Sequence, residues 1–215
     1  MSIVGRYTRL TPAQSDRAMR EPGWARELAE ELAEAESERQ LSVADRRCHE
    51  VGTAWHALAF LLDRRGLPVD LLHGEAEVPD TAAPGYGPPR LLVPERVRLA
   101  ADSLAELPPH VLTEGVTADD LAQAHVYPAG LWQRGDALEV VAGHYLELAA
   151  FVRTAARYRH ALLVRLGRPP CPESTPPARG FGRRTGQQAR QPPHGRSPER
   201  RFDASSDLAA IQVGI

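Results

Sequence analysis

A chain of 215 residues with a net charge of −2 and two cysteines suits one domain with an extension, or two small domains, and excludes a disulfide-built fold. Charge is unevenly divided: residues 1–167 carry 18 Arg against 24 Asp and Glu, whereas residues 168–215 carry 8 Arg against 4. An acidic body lacks the basic face that a nucleic-acid backbone demands, so nucleic acid is disfavoured as its partner.

In chain order, Ile3 to Leu10 alternates and carries β-branched and aromatic residues, which predicts a first strand. Thr11-Pro12-Ala13-Gln14 then combines an N-cap Thr, Pro in the first helical position and Gln three residues after the cap. After Glu21-Pro22-Gly23, Trp24 to Arg39 reads as an amphipathic helix on Leu28 and Leu32. Cys48 to Val51 is ambiguous and suits a short extended piece. Thr53 to Arg65 predicts a helix, with Trp55, Leu58, Ala59 and Leu62 on one face and Gly66 as its stop.

Leu67 to His73 is apolar and fits either a strand or a helical turn. Residues 74–89 read as a loop, ending in Gly85-Tyr86-Gly87-Pro88-Pro89. A brief strand at Arg90 to Val93 precedes a helix from Pro94 to Leu107. Val111 to Ala124 holds one or two short helices, with Thr117 placed to cap ahead of Asp119 and Asp120. Tyr127 to Trp132 forms an aromatic loop, and Asp136 to Tyr158 is the longest helix. Ala161 to Leu166 is almost unbroken apolar sequence, which places it centrally in a sheet.

The fold expected is mixed α+β, with helices packed on a small central mixed sheet. It forms a single globular domain over residues 1–167, followed by a disordered tail over 168–215. That tail holds 8 Pro, 5 Gly and 8 Arg, too little apolar surface to offset its chain entropy. It reads either as a functional extension whose Arg residues touch acidic partners or as out-of-frame translation of GC-rich DNA. The absence of Lys and Asn points to a GC-rich bacterial genome and carries nothing on function. The opening residues lack the order of a signal peptide, and no apolar run approaches the roughly 18 residues of a membrane span. A cytoplasmic protein without a membrane partner is expected.

With these elements placed, the sequence resembles the YfbM-like bacterial family, a domain family of unknown function. The landmarks are Tyr7-Thr8-Arg9-Leu10-Thr11-Pro12, Thr53-Ala54-Trp55-His56-Ala57-Leu58-Ala59-Phe60-Leu61-Leu62 and Gly85-Tyr86-Gly87-Pro88-Pro89-Arg90. They continue through Pro94-Glu95-Arg96-Val97, Val126-Tyr127-Pro128-Ala129-Gly130-Leu131-Trp132 and Ala161-Leu162-Leu163-Val164. Two departures stand out. Gly52-Thr53 replaces the Asp-Lys pair usual before the Trp helix, and Arg165-Leu166-Gly167 replaces a Trp-Leu-Asp close. The resemblance implies helices on a sheet and no established activity.

No glycine-rich phosphate loop, nucleophile elbow or zinc motif is present, so neither cofactor nor metal is expected. His144 and Glu147 share a helical face, and Cys48-His49-Glu50 is a run of reactive types, but neither assembles a site by itself. The candidate binding surface is Trp55, His56, Tyr86, Arg90, Tyr127 and Trp132, since aromatics and Arg on Gly/Pro loops suit recognition. The competing reading is that these aromatics plug loops onto the core. The sequence thus predicts a small module that binds an unidentified protein or small molecule. The alternative is an enzyme, a hydrolase or transferase, with its pocket around His56, Arg90 and Tyr127.

Overall fold

The computed structural model describes residues 2–79, 87–128, 130–132 and 135–168. Tyr86, Cys171 and the tail from residue 169 lie outside the described residues. Strand β1 (Val4–Leu10) runs directly into α1 (Pro12–Arg20). The junction is the expected capping box: Gln14 N–H donates to the Thr11 hydroxyl at 3.3 Å, and Thr11 N–H donates to the Gln14 side chain at 3.0 Å. Helix α2 (Trp24–Ser37) follows. Near its end the Glu36 carboxylate accepts the N–H groups of Arg47 and Cys48 at 2.8 and 3.1 Å. Those bonds fix where β2 (Cys48–Gly52) begins, so the ambiguous segment is a strand.

Beyond β2 come α3 (Trp55–Arg64), β3 (Ala76–Glu77), β4 (Arg90–Leu92) and α4 (Pro94–Ala105). Short helices α5 (Pro109–Thr113) and α6 (Ala118–Gln123) precede the long α7 (Ala137–Arg157) and the last strand, β5 (Ala161–Gly167). Thr117 caps α6 through a second capping box with Asp120. Residues 67–73 contain a turn rather than a strand, and Gly74 N–H donates to the Asp70 carbonyl at 3.0 Å. The 74–89 loop holds β3, a strand of two residues. Too short to show periodicity, it exists through its pairing with β4, Ala76 opposite Leu91 and Glu77 opposite Arg90.

The sheet order is β2-β1-β5-β4-β3, with β5 at the centre as its apolar run predicts. The architecture is the expected mixed α+β, but the sheet is not mixed, because every strand pairing is antiparallel. The longest ladder joins the two ends of the body, Val4 opposite Gly167 through Leu10 opposite Ala161. The unbroken apolar run of β5 therefore reflects cover on both faces and not parallel pairing.

Side chains alternate between the two faces of the sheet. Leu10, Leu91 and Leu163 meet Ala18 of α1 and Ala25 and Ala29 of α2 on one side. Tyr7, Val51, Leu92, Leu162 and Val164 face the larger core built by α3, α4 and α7 on the other. Gly5 sets how closely α3 can approach. A Cβ there would stand 2.9 Å from Val51 Cγ2 and 3.0 Å from Trp55 Cβ, so only a residue without a side chain lets the start of α3 rest on β1.

Candidate functional site

The first turn of α3 carries Trp55 and His56. Trp55 is 6% exposed, and its Nε1–H donates to the Ile3 carbonyl at 3.2 Å. The Tyr127 hydroxyl accepts the Ile3 N–H at 3.3 Å. Two predicted aromatics thus clamp the residue just before β1, tying both α3 and Tyr127 to the sheet. Trp132 is fully buried and donates Nε1–H to the Val126 carbonyl at 2.7 Å. An indole buried with its single donor satisfied fills the core under the loop.

His56 stands at the boundary of that core. Its Nδ1 accepts the main-chain N–H of Tyr127 at 2.9 Å, so in the neutral ring the proton resides on Nε2. Burial and the nearby His73 both lower its pKa, which favours the neutral ring. The Trp55 indole lies nearly parallel to His56 at 4.9 Å between centroids and meets His73 edge-on at 5.8 Å.

His73 belongs to the turn after α3. The Asp70 carboxylate accepts both its main-chain N–H, at 3.0 Å, and its ring Nδ1–H, at 2.9 Å. Both side chains are about half exposed. With the proton drawn to Nδ1, the neutral His73 ring presents its lone pair at Nε2. In their neutral forms the two imidazoles would carry their protons on opposite nitrogens.

Between α3 and residues 67–73 lies a cavity of about 570 Å³. His56, Asp63, Asp70 and His73 line it with Phe60 and other apolar groups, and Ala124 and Val126 close one side. Among the described residues, the lining contains two carboxylates and no Arg.

The turn is pinned from behind. Arg96 on α4 holds Glu75 through two bonds of 2.7 and 2.6 Å and donates to the Pro68 carbonyl at 2.7 Å. The same guanidinium holds the Glu75 carboxyl below the usual carboxylate range. Arg90 Nη2 donates to the Glu75 carbonyl at 3.0 Å. Gly74 has φ +79°, and a Cβ there would sit 2.7 Å from Arg90 Cβ. Glycine is required on both counts.

Of the predicted site, then, His56 lines the cavity with Trp55 packed against it. The Tyr127 main-chain N–H bonds His56, whereas Arg90 braces the turn and does not line the cavity. His49, from the reactive run, points inward and is 5% exposed, stacked on Phe151 at 5.3 Å. Cys48 is half-buried and its thiol is pushed up by burial. His144 and Glu147 lie within electrostatic reach of His49. Among the described residues, no group of three or more His, Cys, Asp or Glu is arranged to hold a metal ion, and no helix is long and apolar enough to cross a membrane.

Sequence reasoning missed Asp63, Asp70, His73, Glu75 and Arg96. The Asp70-x-x-His73-Gly74 spacing and the Arg within Pro94-Glu95-Arg96-Val97 were the available signs. No curated protein matches the chain. A solved structure titled as a protein of unknown function, YfbM from Escherichia coli, is similar over 75% of this chain and 98% of its own, with 15% identity and a TM-score of 0.49. Over residues 1–165 the sequence matches the family described as "Domain of unknown function (DUF1877)", and the chain belongs to that family.

Proposed function

We propose that this domain binds a small molecule in the cavity between α3 and residues 67–73. The observation that carries the reading is the convergence of two imidazoles and two carboxylates on a cavity of about 570 Å³ whose wall is nearly as polar as it is apolar. That size suits a small-ligand site, in which apolar groups such as Phe60 supply affinity and the polar groups fix orientation. The bracing of the turn by Arg96, Glu75 and Arg90 supports it further, because a site held in place before binding loses less entropy when the ligand arrives. His56 and His73 replace the broader aromatic surface as the recognition pair, with Trp55 as their common support. The low cysteine content and the free thiol of Cys48 fit a reducing, cytoplasmic setting.

A thermal-shift screen of metabolites against the full chain tests the reading, with Ala59→Trp as the control because Ala59 lines the cavity. The expected result is stabilisation of the natural chain by at least one compound and its loss in the variant. A screen without any shift, or shifts that persist in Ala59→Trp, would contradict the proposal.

A further inference from the structure

We propose that the same cavity is hydrolytic, with His73 as the general base, and that its substrate is a small uncharged carboxylic ester or lactone. The inference rests on the cavity being a ligand site. It is carried by the way the two imidazoles are fixed. Asp70 engages His73 Nδ1 at 2.9 Å, which leaves Nε2 as an acceptor. The Tyr127 main-chain N–H engages His56 Nδ1 at 2.9 Å, which leaves Nε2–H as a donor. One side of a reacting carbonyl needs a proton acceptor for the attacking water, and the other needs a donor for the oxygen that gains charge. This pocket holds one of each, and the Trp55 ring contacts both.

The lining also selects the substrate class. Asp63 and Asp70 contribute negative charge, and among the described residues no Arg offsets it within the lining. Phosphate esters and carboxylate-bearing substrates are therefore repelled. An uncharged acyl group, seated against Phe60, Leu67 and Val126, meets no such penalty.

The step balances without a further reactant. His73 Nε2 takes a proton from water as the water oxygen bonds to the acyl carbon. The carbonyl π pair moves to oxygen, which accepts a hydrogen bond from His56 Nε2–H. Collapse re-forms the C=O bond and breaks the bond to the alkoxy group, which leaves with the proton held on His73. The products are a carboxylic acid and an alcohol, and both rings return to their starting states. Asp70 acts through His73 and is a positioning residue.

The test uses the full chain near pH 7 with p-nitrophenyl acetate, p-nitrophenyl butyrate and dihydrocoumarin as probes. Expected is saturable hydrolysis of at least one probe, with kcat/KM falling about 100-fold in His73→Gln. Asp70→Asn keeps an oxygen acceptor for the ring, so it should lower kcat by about tenfold and leave KM unchanged. His110→Ala, an exposed histidine on α5 outside the cavity, should keep the full rate. A rate linear in every probe that survives in His73→Gln within about twofold would be imidazole background and would overturn the inference. The unreactive p-nitrobutyranilide, followed by quenching of Trp55 fluorescence with Trp55→Phe as the blank, separates the two levels. Quenching without hydrolysis of any probe overturns the hydrolytic inference and leaves the ligand site standing. Neither quenching nor hydrolysis counts against both.

Discussion

His49 gives the sharpest handle on stability. Its ring is buried between β2 and Phe151, and Nε2 has no hydrogen-bond partner among the described residues. Burial lowers its pKa from 6.5 to about 4, Glu147 opposes that change, and His144 and Arg46 reinforce it. The unfolded chain therefore binds more protons than the folded one between about pH 4 and 6.5, and stability rises with pH through that window. Read downward, stability is complete above pH 6.5 and is lost as the pH falls toward 4. A gap of about 2.5 pH units corresponds to about 3 kcal/mol, a large share of the 5–15 kcal/mol that holds a typical domain of about this size. Urea unfolding at successive pH values between about 7.5 and 4.5 reads this directly, with His49→Phe as the comparison. The variant should lose about 2–3 kcal/mol less than the natural chain across the series. His56 and His160, also lowered by burial, keep its curve from being flat. Parallel curves for the two proteins would refute the assignment of the window to His49.

Three further outcomes follow from the packing. Gly5→Ala should cost about 1–3 kcal/mol through the contacts a Cβ would make with Val51 and Trp55, visible as a lower Tm. Thr11→Ala removes one half of the α1 capping box and should cost about 1 kcal/mol in the same assay. Arg96→Ala releases Glu75 and Pro68, so amide exchange over residues 69–75 should quicken while protection in β5 is unchanged. Equal acceleration in β5 would mean that Arg96 supports the whole fold and not the turn.

Much of the fold was written in local chemistry. The capping boxes at Thr11 and Thr117 involve residues three apart, so sequence alone displays them. The apolar stretch Ala161 to Val164 announced a strand covered on both faces because no polar residue interrupts it. Strand direction was not visible in this way, since pairing β1 against β5 joins residues more than a hundred positions apart. Ala76–Glu77 is a strand only because β4 lies beside it.

The candidate site divides along the same line. His56 was visible because it follows Trp55 on a periodic helix. His73 was not, because its meaning depends on Asp70, on the Trp55 ring and on the cavity, and only the first is close in sequence. Arg90 and Tyr127 were read as site residues, yet the Arg90 guanidinium bonds the Glu75 carbonyl and the Tyr127 hydroxyl accepts from Ile3. A side chain spent on bracing looks the same in sequence as one offered to a ligand. Trp132 shows this most clearly, since its indole is satisfied within the core by a carbonyl six residues away.

The space between α3 and residues 67–73 is the proposed meeting place of this domain and a small molecule. Crystals of the natural chain soaked with a fragment library test it most directly. Fragments should seat in the cavity, with polar atoms on the Nε2 atoms of His56 and His73 and rings against Phe60. Fragments bound elsewhere on the domain, with the cavity left to water at every concentration tried, would contradict it.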